Sequence, residues 1–271
     1  MKIFKDKQSL KKELFDLKSL GFIPTMGSLH KGHEYLIKKA RLKVKYTLVS
    51  IYINPKQFNS KKDYKEYPRD LQKDLRILRK LKVNYIYLPN YNDIYGFKTV
   101  NKIFEDKFIK NLCGKFRKNH FKGVLNVVNR LLEIINPSHI YLGKKDFQQM
   151  YLIKKHLLIN DIKTLIIPCK TIRDQNGLAL SSRNKNLSEE EKILASKVYK
   201  LLIKQKTYSV NSLTLSKKIK ELKNKIINFG INKIDYIEFL NIQTLKKPSK
   251  KDKYNIFIAY YIGSTRLIDN I

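Results

Sequence analysis

The stretch FIPTMGSLHKGHEY, residues 22–35, decides how the rest of this chain is read. Its apolar start predicts a short buried strand, Pro24 and Gly27 a turn, and the following residues a helix. His30 and His33 lie three residues apart, so on a helix both project from one face of the first turn. A helix start already offers unpaired N–H groups and a partial positive charge to phosphate. Imidazoles placed there add directional donors for phosphate oxygens. One histidine on a helix is ordinarily structural or solvated. The pair behind Pro-Thr-Met-Gly instead points to a nucleotide-handling α/β enzyme.

Outward from this stretch, strand and helix patterns alternate. Residues 46–53 (YTLVSIYI) form a near-continuous apolar run, as a strand covered on both faces requires. Pro68 is predicted at the first position of a helix over 68–82, with Leu71, Leu75, Leu78 and Leu81 at helical spacing. A strand over 83–88 follows, then a helix over 124–135 stopped by Asn136-Pro137. Residues 140–142 form a short strand, a helix runs from Asp146, and 164–168 is another apolar strand. This alternation predicts an α/β fold, a Rossmann-like doubly wound parallel sheet with helices on both faces. After Asn186 the pattern changes. Ser188 and Glu191 have the form of a capping box, lysine-rich helical segments run to about Gly230, and strands are predicted over 235–240 and 254–262. The chain is thus expected to divide into residues 1–178 and a smaller C-terminal α+β domain, 179–271.

Composition narrows the function class. The 271 residues carry 42% apolar residues, enough for a core, and no apolar run approaches the roughly 20 residues that span a bilayer. The start, MKIFKDKQSLKKELF, is charged throughout and lacks the apolar core of a signal peptide. Cys113 and Cys169 have no metal or redox spacing and fit a reducing, cytoplasmic compartment. The formal net charge of +34 suggests nucleic acid at first sight. Lysine, however, is spread over every predicted element together with Ile, Asn, Tyr and Phe, while Ala stands only at 40, 179, 195 and 259. That is the signature of A/T-rich codons. The aromatic residues sit mostly in apolar strand and helix positions, so no specific nucleic-acid partner is expected, and without a spanning run no membrane partner is expected either.

Open parallel sheets bind ligands beyond the carboxyl ends of their strands. After the predicted strands stand Thr25-Met26-Gly27 with the histidines, Asn54-Pro55-Lys56-Gln57-Phe58, Gly143-Lys144-Lys145-Asp146-Phe147-Gln148-Gln149, and Arg173 followed by 174–184 (DQNGLALSSRN). Amide, hydroxyl and basic groups gathered there suit a polar anionic ligand. Ser181-Ser182-Arg183 reads either as a turn with a helix cap or as hydroxyls beside a guanidinium fork for a triphosphate. Asp74 reads as a solvated surface residue or as metal support. Spacing alone leaves His120 open, and His139 and His156 read as structural.

PTMGSLHKGH, SIYINPKQF, YPRDLQKD, HFKGVLNVVNRL, GKKDFQQ and GLALSSRN occur in this order, and STRLIDN closes the chain. In that order and spacing the chain resembles the pantothenate synthetase (pantoate–β-alanine ligase) family, within the wider grouping of nucleotidylyltransferases and class I aminoacyl-tRNA synthetases. The resemblance covers about 20–195 and the C-terminus. It implies a cytoplasmic homodimer whose 1–178 domain binds nucleotide and pantoate and whose C-terminal domain closes over the site. It also implies a two-step ligation of pantoate and β-alanine with Mg-ATP, through pantoyl adenylate, with no covalent enzyme intermediate. By that resemblance His30, His33, Lys145 and Arg183 are catalytic. Met26, Gly143, Asp146, Ser181 and Ser182 join them around ATP. Gln57, Gln149 and Met26 hold pantoate, Asp74 lies near magnesium, and His120 lies at the site entrance. The chain departs from the family pattern at Lys144, where glutamate is usual, at Lys118-Asn119, where Pro-Gly is usual, and at Lys73, acidic in some members. The alternative within the same fold is another nucleotidylyltransferase, which Gln57, Gln149 and the GLALSSRN segment argue against.

Overall fold

The computed structural model describes residues 1–104, 106–206, 212–249 and 252–271. The lysine-rich helical stretch expected before residue 230 passes over 207–211, which lie outside the described residues. The chain forms two compact units, Met1–Ile172 and Arg173–Ile271.

Among the described residues, the first unit holds a six-stranded parallel sheet: β1 (Lys2–Phe4), β2 (Leu20–Thr25), β3 (Tyr46–Ile51), β4 (Tyr85–Tyr87), β5 (His139–Gly143) and β6 (Leu165–Cys169). Their order across the sheet is β1-β4-β3-β2-β5-β6, and every pairing is parallel. Between and around them run α1 (Lys7–Leu14), α2 (Lys31–Arg41), α3 (Lys61–Glu66), α4 (Leu71–Lys80), α5 (Tyr91–Tyr95), α6 (Cys113–Phe116), α7 (His120–Ile135) and α8 (Phe147–Ile159). The apolar runs become the central strands because both sheet faces are covered: Phe22, Ile23, Leu48 and Val49 are wholly buried. From β2 the chain winds one way through β3 to β4, whereas from β5, on the other side of β2, it winds to β6. Neighbours β2 and β5 therefore send their loops apart, which opens a crevice beyond their carboxyl ends.

The helices show where local chemistry overrode the predicted boundaries. α4 starts at Leu71, not at Pro68, because Asp70 supplies the N-cap and its Oδ1 accepts from Lys73 N at 3.0 Å. Pro68 stays in the preceding turn, where the Arg69 guanidinium donates to the Lys65 and Tyr67 carbonyls at 2.8 and 3.1 Å. α7 begins at His120, four residues before the apolar pattern becomes visible. Its end agrees with the Asn136-Pro137 signal, Asn136 closing it in the left-handed region at φ 46°. β1 escaped the sequence reading because its three residues lie at the sheet edge, with Lys2 and Ile3 exposed.

Gly123 sets how closely α7 approaches the site. A Cβ there would stand 2.2 Å from the Lys56 carbonyl oxygen and 2.9 Å from Gln57 Cα. Only a residue without a side chain lets α7 lie against the 3-10 turn Pro55–Gln57.

The second unit packs α9 (Glu189–Gln205) and α10 (Ser212–Asn228) with the antiparallel strands β7 (Lys233–Asn241), β8 (Tyr254–Ile262) and β9 (Thr265–Asn270). The predicted capping box forms: Glu191 N donates to Ser188 Oγ at 3.2 Å and Ser188 N to Glu191 Oε2 at 2.9 Å. Leu202, Ile226, Phe239, Ile256 and Ile258 form the wholly buried centre of this unit. Among the described residues no helix is long and apolar enough to cross a membrane.

Replacing Gly123 with alanine forces α7 off the 55–57 turn, and overpacking of this kind costs about 2 kcal/mol. A lower urea midpoint with unchanged slope is the expected result; an unchanged midpoint would mean the contact is not tight.

Candidate active site

The loop after β2 is built to present a helix start. Thr25 Oγ1 donates to Ser50 O at 2.7 Å and accepts from Gly27 N at 3.2 Å, which turns the chain sharply at the strand end. Gly27 (φ 77°) and Ser28 (φ 54°) follow in the left-handed region, where glycine is at ease and serine is not. The Ser28 and Leu29 amides are held by the Asp74 carboxylate, each at 2.7 Å.

His30 is the N-cap of α2, and the two histidines make a capping box with imidazoles in place of the usual hydroxyl and carboxylate. His30 Nδ1 accepts from Gly32 N at 3.1 Å, and His33 Nδ1 accepts from His30 N at 3.3 Å. The ring centroids are 4.0 Å apart. Accepting at Nδ1 leaves the proton of each neutral ring on Nε2, so both imidazoles offer an Nε2–H donor at the same helix start. Desolvation pushes the His33 pKa well below the ordinary 6.5, and a second proton on the His30–His33 pair is further disfavoured by mutual repulsion and by the Lys145 charge. His33 is therefore neutral at pH 7.

After β5, residues Lys144–Asp146 form a 3-10 turn that leads into α8. Lys145 Nζ lies 3.4 Å from Asp146 Oδ1, with the lysine side chain 17% exposed and the aspartate 42%. The loops after β2 and β5 leave neighbouring strands at the switch point, and the Lys145 charge acts on His33 there. Lys144, the departure from glutamate, is exposed. Of the adjacent glutamines, Gln148 is buried; its Nε2 donates to the Phe108 and Asn111 carbonyls, both at 2.8 Å, and its Oε1 accepts from Cys113 N. Gln149 is half-buried in the first turn of α8.

Gln57 sits in the turn after β3, 8% exposed, with its Nε2 directed at the Met26 sulfur. Asn54, grouped by the sequence reading with the ligand-facing segment but given no role of its own, orients it. Asn54 Nδ2 donates to Gln57 Oε1 at 3.3 Å and to Gly123 O at 3.1 Å, while Oδ1 accepts from the Tyr95 hydroxyl at 2.8 Å. Burial raises the Tyr95 pKa to about 12, which keeps that hydroxyl a donor. His120 holds the same turn from α7: its Nδ1 lies 2.7 Å from Gln57 O, and its Nε2 lies 3.0 Å from Arg117 NH1. A guanidinium only donates, so His120 accepts at Nε2 and donates from Nδ1. Asn119, standing where glycine is usual, takes φ 62°, a conformation asparagine tolerates better than most residues. That departure therefore preserves the backbone the histidine needs.

In the second unit, Ser181 caps the 3-10 turn Ser182–Asn186, and its Oγ accepts from Arg183 N at 3.3 Å. Ser182 is buried and Arg183 is half-buried. Arg173, grouped by the sequence reading with the ligand-facing residues, is a structural strut. Its guanidinium makes a bidentate pair with Asp269 at 2.6 and 2.9 Å and lies 4.0 Å over the Tyr199 ring. His156 is buried and bonded through Nε2 to Asn129 Oδ1 at 2.9 Å, in keeping with its structural reading.

Comparison with known proteins gives the family. A family model described as Pantoate-beta-alanine ligase matches residues 2–271. The pantothenate synthetase of Sulfurihydrogenibium sp. is 41% identical over 259 residues, covering 94% of this chain and 92% of that protein. The crystal structure of the Francisella tularensis pantoate-beta-alanine ligase, complexed with beta-gamma ATP and beta-alanine, superposes with a TM-score of 0.85 at 38% identity, covering 100% of this chain and 97% of that one. The Thermus thermophilus pantothenate synthetase structure gives a TM-score of 0.88 at 30% identity, covering 100% and 99%. The chain belongs to the pantoate–β-alanine ligase family.

Proposed function

We propose that this protein condenses pantoate with β-alanine at the expense of ATP, by way of pantoyl adenylate. The observation that carries the reading is the histidine capping box at the switch point, acted on by the Lys145 charge, with Gln57 beyond the adjoining strand β3 directed at Met26. In the first step a pantoate carboxylate oxygen attacks the α-phosphorus of ATP, and pyrophosphate leaves with the bond it breaks. In the second, the β-alanine nitrogen attacks the activated acyl carbon, loses a proton, and expels AMP. Neither step needs a protein nucleophile; both need placement of the reactants and neutralisation of developing charge.

The roles follow from the chemistry of each group. His30 and His33, donating from Nε2, bind the phosphates and stabilise charge on the α-phosphoryl oxygens during attack. Lys145 supplies a fixed positive charge beside them. We assign Gly143 and Asp146 to the nucleotide, and Ser181, Ser182 and Arg183 of the second unit to the triphosphate. Gln57 and Gln149 take the pantoate hydroxyls and carboxylate, with Met26 against its apolar part. His120 fixes the backbone of the Gln57 turn. Under this reading residues 1–178 carry nucleotide and pantoate binding, and 179–271 form the smaller C-terminal domain. A homodimer in the cytoplasm fits the family resemblance, and the buried Cys113 and Cys169 fit a reducing compartment.

Magnesium, which the resemblance implies with ATP, is not matched by a built protein site. Among the described residues no three His, Cys, Asp or Glu side chains gather to hold a metal, and both Asp74 oxygens accept backbone N–H groups. An ion brought in with the nucleotide would supply charge neutralisation to its phosphates.

An assay with ATP, pantoate and β-alanine omitted in turn tests the reading. Pyrophosphate release is expected to require pantoate, and steady turnover to require β-alanine as well; release without pantoate would favour another nucleotidylyltransferase. His33→Ala and Lys145→Ala are each expected to slow pyrophosphate release about 100-fold or more, as loss of a transition-state donor does, with the fold retained. Near-native rates in either variant would remove it from the assigned role.

The lowered His33 pKa has a consequence for stability. Below the ordinary value of 6.5 the unfolded chain takes up a proton that the folded site refuses. Stability from this group is complete above that pH and declines as pH falls toward the folded value. Urea midpoints measured over a pH series are expected to fall more steeply on the acid side in the wild type than in His33→Gln. Parallel profiles would mean His33 titrates normally.

A further inference from the structure

Asp74 is the acid that the family resemblance places near magnesium, and its surroundings give it different work. It stands in the first turn of α4 and is 2% exposed. Oδ2 accepts from Ser28 N and Oδ1 from Leu29 N, both at 2.7 Å, a length typical of hydrogen bonds to an ionised carboxylate. The same oxygen, Oδ2, lies 3.0 Å from where a Gly27 Cβ would stand, so the carboxylate rests against the bare backbone of the turn. Gly27 and Ser28 both have positive φ, and Leu29 leads directly into the His30 cap. A non-glycine residue persists in that region only when its surroundings impose it. Here the imposing group is the Asp74 carboxylate. It rides on a firmly held helix, capped by Asp70 and anchored by the wholly buried Leu78.

We infer that Asp74 is a positioning residue, fixing the Gly27–Ser28–Leu29 backbone so that the His30 and His33 Nε2–H donors face the reacting phosphate, and that it is not a magnesium ligand. Mg2+ demands near-octahedral coordination and ordinarily keeps several waters. A carboxylate buried to this degree, with each oxygen already accepting a backbone N–H, leaves no place for a hydrated ion. No companion ligands gather there among the described residues. The residue acts through the histidines, so the inference rests on the function proposed above.

The test compares wild type with Asp74→Asn and Asp74→Glu. The readouts are pantoate-dependent pyrophosphate release across a Mg2+ titration, and amide hydrogen exchange at Ser28 and Leu29. Asp74→Asn turns one acceptor into a donor facing an N–H, and a misplacement on the order of 1 Å at a catalytic group lowers kcat by about 100-fold. The expected result is that loss in kcat, an unchanged KM for β-alanine, and an unchanged Mg2+ concentration at half-maximal rate. Exchange at Ser28 and Leu29 should quicken in the variant and, in the wild type, be slow and identical with Mg2+ or chelator. Recovery of rate at high Mg2+, or a shifted Mg2+ midpoint in either variant, would overturn the inference in favour of a metal ligand. An unchanged kcat would overturn the positioning role. Should neither variant fold, the wild-type exchange still decides: unprotected amides, or protection that depends on Mg2+, would overturn it. Wild-type enzyme that releases pyrophosphate without pantoate would instead sink the functional reading, while the exchange measurement continues to test the anchor.

Discussion

The reciprocal hydrogen bonds at the start of α2, Gly32 N–H to His30 and His30 N–H to His33, are the interaction on which the site depends. They satisfy orphan amides of the first helical turn, as any N-cap must. With imidazoles they also fix the tautomer, because a ring that accepts at Nδ1 holds its proton on Nε2. One local device thus ends the turn, begins the helix and aims two donors. Burial, with the Lys145 charge nearby, keeps His33 neutral, so its donation does not depend on protonation at pH 7. The sheet topology then places this helix start beside the loop carrying Lys145, since β2 and β5 are neighbours whose chains diverge.

Around that centre, several buried polar groups hold the turns that carry the site residues. Asn54, Tyr95 and His120 converge on the turn bearing Gln57, and Gly123 lets α7 come close enough for the last of these to reach. Gln148 ties the segment near Phe108 to α8 while its neighbour Gln149 stays half-buried beside the crevice loop. Preorganisation of this kind is what the proposed adenylyl transfer would require, since its transition state would be stabilised by donors already in place. The charge of +34 is a different matter. Most lysines are exposed and their fields are screened within about 8–10 Å of salt solution. Lys145 differs because its side chain is 17% exposed, and its field is felt at His33.

Much of this was legible in the sequence, for reasons that can be traced residue by residue. The run around Phe22 and Ile23 announced a buried strand, and Pro24, Gly27 and the histidine pair announced the turn and helix beyond it. The capping box at Ser188 and the stop at Asn136-Pro137 formed as read, since both are local signals. Pro68 misled because an aspartate two residues on made the better cap. β1 and β9 carried too little pattern to be seen, one being a short edge strand and the other having only two adjacent apolar residues, Leu267 and Ile268. What spacing could not supply was partnership across the chain. Asp74 lies 45 and 46 residues from the amides it holds, Arg173 lies 96 from Asp269, and His120 lies 63 from the Gln57 carbonyl. Each looked like a surface or ligand residue until the fold showed what it meets.

The central claim is that a carboxylate oxygen of pantoate attacks the α-phosphorus of ATP in this site. Pantoate labelled with 18O in both carboxyl positions, converted in the presence of ATP and β-alanine, tests it directly by mass spectrometry of the products. The account requires one labelled oxygen in the phosphoryl group of AMP, the other in the amide carbonyl of the product, and none in pyrophosphate. Label in pyrophosphate or inorganic phosphate, or AMP free of label, would contradict it.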